Sequence, residues 1–461
     1  MFEKEEYEEV LQEVIELTDT KQYAKVKRLI VELNEADIAE LIEDLQKKIS
    51  TEELLKVFRL LPKDQAADVF AFLPVETEHF IITALTDKES QYIIENMFAD
   101  DVTDLMEEMP AGVVKKLLAN ASPETRRDIN HLLKYPEDSA GSIMTVEFAD
   151  LKKNITVEQA LERIRKIGID KETINTCYVL DSHRKIMGTV TLRTLLLSDP
   201  KATVGDVMEE NVISVRTLDD QEAVARQFQK YDFMAMPVTD MEDRLVGIIT
   251  VDDILEIIED EATEDIEKMA AIVPSDSDKP YLKKSVFELW KSRIPWLLLL
   301  MISATVTGEI IESFEMRLAS IAGLVSFIPM LMDTGGNSGG QASVTVIRAI
   351  SLNEIEFKDI FKVMWKELRV AIVCGLTLAV GNFLRIFVLN GFDLGSVMVI
   401  VVVCVTLFIT VICAKLIGCT LPILAKRLGF DPAVMASPFI TTIVDAISLL
   451  VYFRVASIML L

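Results

Sequence analysis

The sequence predicts a multidomain membrane protein: an all-α superhelical N-terminal domain, an α/β domain made of a tandem repeat, and a five-helix transmembrane domain. Three observations lead to it. Charge is unevenly shared, because residues 280–461 hold 12 acidic and 15 basic residues. That leaves 61 of the chain's 73 acidic and 32 of its 47 basic residues to the first part. Five apolar stretches follow, at 294–311, 318–332 running on toward 350, 368–389, 396–418 and 435–457. Each is near the ~20 residues a bilayer requires. Ahead of them one pattern occurs twice, with Asp181 to Asp240 and Gly188 to Gly247 each 59 residues apart. The domains so bounded are 1–138, 139–202, 203–262, an acidic linker with a connecting helix at 263–293, and the membrane part at 294–461.

In residues 1–138 apolar residues recur at three- and four-residue spacing, as in Val57, Leu60, Leu61 and Val69, Phe70, Leu73. Leu61-Pro62 and Leu73-Pro74 break this pattern twelve residues apart. Proline is tolerated in a helix's first turn, so each break can start a new short helix, and short helices in series suggest a superhelical stack. In the repeat, a helical stretch (157–167, then 223–231) precedes two strand-like runs, 177–181 with 186–191 and 236–240 with 245–250. A carboxylate-rich helical stretch, 256–265, leads on through Pro274–Pro280 to an amphipathic segment, Tyr281–Trp296, at the mouth of the first span.

The net charge of -26 comes from the first part, whose balance is -29 against +3 for residues 280–461. Such acidity disfavours nucleic acid and anionic membrane surfaces and suits cations. The five cysteines, Cys177, Cys374, Cys404, Cys413 and Cys419, form no CxxC pair, and four lie in apolar stretches, so neither zinc nor a disulfide framework is expected. The opening MFEKEEYEEV is acidic and lacks an apolar core, so no cleaved signal is expected. Basic residues cluster before the first stretch (Lys283, Lys284, Lys291, Arg293), between the second and third (Arg348, Lys358, Lys362, Lys366, Arg369), and between the fourth and fifth (Lys426, Arg427). The positive-inside rule then puts the N-terminal part in the cytoplasm and, with five spans, the C-terminus outside a plasma membrane. The three histidines, His79, His131 and His183, are scattered with no nucleophile–base pattern, and no phosphate-cradling loop is present, so neither an enzyme nor an ATP-driven pump is expected.

Asp445 is the sole carboxylate of the last apolar stretch. An Asp at the centre of a membrane helix costs roughly 2.5–3.5 kcal/mol on insertion scales and usually faces a bundle interior or a water path. Ser437, Thr441, Asp445 and Ser448 follow at spacings of four, four and three, which places them on one helical face. That stripe fits either a cation site in a pore or a carboxyl held between helices. At the end of the second stretch stands Pro329-Met-Leu-Met-Asp-Thr-Gly-Gly-Asn-Ser-Gly-Gly-Gln341, expected to break the helix and expose backbone carbonyls to a substrate path.

The repeat resembles a tandem pair of CBS domains. With the helical N-terminal domain, the linking helix, the Pro329–Gln341 string, Gly429-Phe430-Asp431-Pro432 and Asp445, the chain resembles the MgtE family of magnesium channels and transporters over essentially its whole length. The resemblance implies a homodimer in the lipid bilayer with a pore on its two-fold axis. Asp445 of both subunits would hold a hydrated Mg²⁺, and Ser437, Pro438, Thr441, Gly335, Gly336 and Asn337 would line the way. Ser437 stands where the family has an asparagine, and Glu256 where it has an aspartate. Regulatory Mg²⁺ is implied at Asp68, Asp100 and Asp104 of the helical domain, at Glu222, Asp232, Asp253 and Glu256, at Glu261, Glu264 and Asp265, and at Asp431. Tyr281–Trp290 would be a plug helix, and the CBS pair resembles modules that take adenine nucleotides, here ATP. The expected function is a Mg²⁺-selective channel for uptake, closed by cytosolic Mg²⁺. A proton-coupled carrier of Co²⁺ or Mn²⁺ and a non-transporting Mg²⁺ sensor stay open as alternatives.

Overall fold

The computed structural model describes residues 4–274, 281–318, 324–390, 394–435 and 437–460. It divides into two compact units, Met1–Ile258 and Glu259–Leu461.

The first unit opens with ten short helices, α1 (Lys4–Asp19) to α10 (Pro123–Leu132). Their starts are written in the sequence. Pro62 and Pro74 precede α5 (Lys63–Ala71) and α6 (Val75–Ala84), as the two proline breaks predict. Ser50 and Thr86 accept hydrogen bonds from the backbone N–H groups of Glu53 and Glu89, and Thr86 with Glu89 completes a capping box. The third, fifth, seventh and ninth helices pack in one row, and α6, α8 (Ala99–Glu108) and α10 in another, the arrangement of a superhelical stack. Its core runs continuously from Leu11 to Ile129 and includes Phe58 edge-on to Phe70 with ring centroids 6.4 Å apart.

The repeat forms two three-stranded sheets. The first is β1 (Phe148–Lys152), β2 (Thr173–Leu180) and β3 (Ile186–Thr191), with α11 (Val157–Ile167) before β2 and α12 (Leu192–Leu197) after β3. A single turn, α13 (Val204–Val207), leads to β4 (Val215–Arg216), α14 (Gln221–Tyr231), β5 (Ala235–Thr239), β6 (Leu245–Thr250) and α15 (Val251–Met269). In both sheets the first pair is parallel and the second antiparallel. Gly188 pairs with Val179 and Gly247 with Val238, so the 59-residue offset is a structural register. The copies interlock: Thr145 bridges to Ile248 and Glu209 to Thr189. A Cβ on Gly247 would strike Met144 and the Thr145 carbonyl, and one on Gly188 would strike Met208 and the Glu209 carbonyl. Each strand-borne glycine therefore admits the other copy's leading segment.

The second unit contains five long helices, α16 (Val286–Leu318), α17 (Ile328–Ser351), α18 (Ile360–Asn390), α19 (Leu394–Arg427) and α20 (Ser437–Leu460). Among the described residues four stretches are long and apolar enough to cross a membrane: Val286–Phe314, Phe357–Val388, Val397–Arg427 and Pro432–Leu460. The fifth helix, α17, has 24 residues, about 36 Å at 1.5 Å per residue, but is diluted by Gly, Ser and Asn.

Two expectations are corrected here. The Pro329–Gln341 string does not break its helix, since α17 runs unbroken from Ile328 to Ser351. Pro329 sits in the first turn, where its missing N–H costs nothing. The glycines serve close packing: a Cβ on Gly335 would lie 2.8–3.0 Å from Thr410, Ser448 and Val444, and one on Gly339 would meet Ile440, Val444 and the Ala414 carbonyl. Small residues at such spacing let membrane helices approach backbone to backbone. Nor is Tyr281–Trp290 a separate plug helix. Tyr281–Lys283 form a turn, and Val286–Trp290 are the first turns of the 33-residue α16.

The closest approach joins α17 to α19, where a Cβ on Gly418 would strike the Gly339 backbone. Gly418→Ala is therefore expected to destabilise the membrane unit by about 1–3 kcal/mol through overpacking. A lowered unfolding temperature in detergent checks this, and an unchanged one would show that the seam has slack.

Candidate ion path and cytosolic carboxylate cluster

Asp445 lies in the third turn of α20, half-buried, and its Oδ1 is buried without a hydrogen-bond partner. Three residues on, Ser448 is buried and donates to the Val444 carbonyl at 2.6 Å. Thr441 packs its methyl against Gly336. Gly335 and Gly336, expected along the path, are buried in the seam between α17 and α20 instead, because only hydrogen fits there. Ser437 opens α20 and Pro438 follows it; the side chain of Ser437 lies outside the described residues.

The exposed face of α17, which begins at the edge of the glycine seam, is polar. Asp333, Asn337, Gln341, Thr345 and Arg348 are all exposed and follow one another at spacings of four, four, four and three. Asn337 donates its Nδ2–H to Asp333 Oδ1 at 3.2 Å. The charge of Asp333 also reaches the Asp445 carboxylate. Of these residues only Asn337 is expected from the sequence analysis. The four-residue spacing was present in the string but carries no meaning until the string is helical.

In the first unit, acids converge from four places. Asp100, Asp101 and Asp104 stand on α8, Glu147 precedes β1, Glu172 precedes β2, and Asp252, Asp253 and Glu256 begin α15. Burial first, then the charges of Asp253, Glu256, Asp252 and Glu147, push the Asp101 carboxyl up to about 7. Burial, then Asp253 and Asp101, push Glu172 up to about 8, and its Oε2 is buried with no partner. Burial holds Asp100 well above the usual carboxylate range as well. Glu78 on α6 is buried and pushed up to about 8 by burial, then by Glu108, Asp101 and Asp104. Asp104 is the solvent-exposed rim of the group. Among the described residues, no base forms an ion pair with Asp100, Asp101, Asp104, Glu172 or Asp253, and no three potential ligands stand close enough to grip a bare metal ion. Asp253 also caps α15, accepting from the Thr250 hydroxyl and N–H. Glu78, Asp101, Glu147, Glu172 and Asp252 are additions to the expected set.

The other expected regulatory residues are dispersed. Asp68 is exposed on α5, near Glu35 and Asp64. Glu222 is tied to Arg226 at 2.6 Å, and Asp232 ends α14 in the left-handed region at φ 54°. Glu261, Glu264 and Asp265 lie along the second half of α15. Glu264 and Asp431 do meet, but around an ammonium: Lys268 Nζ lies 2.7 Å from each. The second oxygen of Asp431 accepts the Ala433 N–H at 2.8 Å.

Comparison with known proteins decides what kind of molecule carries these features. Residues 328–455 match the family described as "Divalent cation transporter", residues 33–138 the "MgtE intracellular N domain", and residues 204–260 a CBS domain. The magnesium transporter MgtE of Thermus thermophilus is 36% identical over 458 residues, 98% of this chain and 98% of that one. This chain belongs to the MgtE family of magnesium transporters. Within MgtE proteins, the crystal structure of "the soluble part of a magnesium transporter" is similar at 30% identity and TM-score 0.52, over 56% of this chain and all of the other. The cytosolic domain of "the Mg2+ channel MgtE in complex with ATP" is similar at 35% identity and TM-score 0.49, over 54% of this chain and 98% of that one. MgtE membership makes the chain a membrane-embedded transporter of Mg²⁺ and not an enzyme. Its water-facing acidic unit and its apolar helical unit are those of an MgtE transporter.

Proposed function

We propose that this MgtE protein is a Mg²⁺-selective channel for uptake, assembled as a homodimer and closed by cytosolic Mg²⁺ at its acidic domains. The observation that carries the pore is Asp445, whose buried Oδ1 has no partner on a helix packed against the glycines of α17. A carboxylate in such a span needs water or a cation. Mg²⁺ gives up its waters reluctantly, so a carboxylate and hydroxyls that read a hydrated ion suit it better than a tight cage. A second copy across a two-fold axis supplies the facing Asp445 and covers α17's polar face.

The gate rests on the carboxylate cluster, with Asp68, Glu222, Asp232 and the acids of α15 and Asp431 as further regulatory positions. Without divalent ions the like charges repel, and Mg²⁺ between them favours the compact, closed state. Each ion contributes only its differential affinity for the two states, so several weak sites are needed for a sharp response. At Glu264 and Asp431 an arriving Mg²⁺ must displace the Lys268 ammonium. ATP at the CBS pair, implied by the sequence resemblance, belongs to the same reading.

Patch recording of the reconstituted protein, with Mg²⁺ varied on the cytoplasmic side, tests this. Inward Mg²⁺ current is expected at low internal Mg²⁺ and closure as it rises into the millimolar range. Deleting residues 1–262 is expected to leave a current that no longer closes. Closure persisting in the truncated protein would remove the sensor role, and current that follows a proton gradient alone would make the protein a carrier. ATP in the cytoplasmic bath is expected to shift the Mg²⁺ dependence.

A further inference from the structure

We propose that Asp333 is a second carboxylate of the permeation path, working with Asp445 to set the preference for divalent over monovalent cations. The proposal rests on the pore reading above and adds a residue to it. Asp333 stands five residues into α17, about 8 Å along the helix, on its exposed polar face. Its position relative to α20 is fixed by backbone packing. Gly335, Gly336 and Gly339 bring α17 against Thr441, Val444 and Ser448, the turns that flank Asp445. The seam thus fixes Asp333, two residues before Gly335, and Asp445, next to Val444, on helices that pack against each other at those turns.

Asn337, one turn on, donates to Asp333 Oδ1 and so holds the carboxylate's orientation while its other oxygen stays available. The next positions on that face, Gln341 and Thr345, are neutral hydrogen-bonding groups. Negative charge is therefore concentrated at the level where α17 and α20 carry Asp333 and Asp445, with polar uncharged side chains following Asp333 along its face. Two like charges on packed membrane helices repel more strongly than in water, because the surroundings screen them less. A cation near both relieves that repulsion in proportion to its charge. A doubly charged ion balances both carboxylates of one chain and a singly charged ion only one. The attraction acts through the waters that Mg²⁺ retains and needs no direct coordination.

The test uses the full-length protein in liposomes, with Mg²⁺ flux measured against competing Na⁺. Asp333→Asn, which keeps size and the chance of a bond to Asn337, is expected to lower the Mg²⁺-over-Na⁺ preference about tenfold, the loss of one nearby charge. Asp333→Glu is expected to retain most of the preference. If the Asn variant does not assemble, Asp333→Cys decides. A cationic methanethiosulfonate is then expected to block flux beyond its effect on the parent protein with its own five cysteines, and Mg²⁺ is expected to slow the block. Unchanged selectivity in Asp333→Asn, or no added block in Asp333→Cys, overturns the proposal while Asp445→Asn still abolishes flux. Undiminished selective flux in Asp445→Asn instead overturns the pore reading itself.

Discussion

Replacing Asp445 with alanine is expected to abolish Mg²⁺ flux while leaving the protein folded. The two halves of that expectation have separate physical grounds. At an effective dielectric constant of about 20, two unit charges 4 Å apart interact by about 4 kcal/mol, and Mg²⁺ doubles the interaction. A retained water layer weakens it, yet each 1.4 kcal/mol lost still lowers occupancy about tenfold. Asp445 is the only carboxylate of α20, so the helix has no substitute for it. Stability should not suffer, because Oδ1 has no hydrogen-bond partner to lose. The packing of α20 runs through Ile440, Val444 and Ser448, which the substitution leaves in place. The expected result is a variant that unfolds in detergent at or above the parental temperature and conducts no Mg²⁺ in liposomes. Selective flux at the parental level would sink the pore assignment, whatever the thermal result.

The order of the parts was legible because each has a signature that survives without tertiary context. Charge asymmetry separates the water-facing unit from the apolar one, and Pro62 and Pro74 start helices wherever they are tolerated. The offset from Gly188 to Gly247 reports a repeated sheet register. The failures share one cause: a local rule was overridden by a neighbour the sequence does not name. Glycine weakens an isolated helix, yet in α17 it is what allows α19 and α20 to pack closely, so the expected break is a continuous helix. Once the helix is continuous, Asp333, Asn337 and Gln341 become a face. The cytosolic acids show the same limit. Asp100, Asp104, Asp253 and Glu256 were reached through family resemblance, whereas Glu147 and Glu172 join them only because β1 and β2 are adjacent strands. Lys268, one turn beyond Glu264, has no sequence mark that would tie it to Asp431 across 163 positions.

The carboxylate cluster leads to the second large expectation: without Mg²⁺, the soluble part should be more stable in mild acid than at alkaline pH, and Mg²⁺ should remove the difference. Asp101 at about 7, and Glu172 and Glu78 at about 8, hold their protons in the folded state well above the usual carboxylate range. Unfolded, they titrate near 4. Between about pH 4 and pH 8 the folded protein therefore binds more protons than the unfolded chain, so stability falls as pH rises through that window and levels off above it. The groups share one neighbourhood, so their effects overlap; a total of about 4 kcal/mol, or on the order of 10 °C in unfolding temperature, is expected rather than a sum over sites. A fragment ending at Met269, followed by thermal unfolding in chelator and in Mg²⁺, reads this directly. Mg²⁺ binds only the ionised acids, so its stabilising shift should be large at about pH 8 and small at about pH 5. Glu172→Gln sharpens the test, because it removes an acid whose Oε2 is buried with no partner. That variant should be more stable than the parent in chelator at alkaline pH and should gain less from Mg²⁺. If the Mg²⁺ shift is the same at both pH values, the cluster is not where the ion binds, and the sensor must be sought among Asp68, Glu222 and the acids farther along α15.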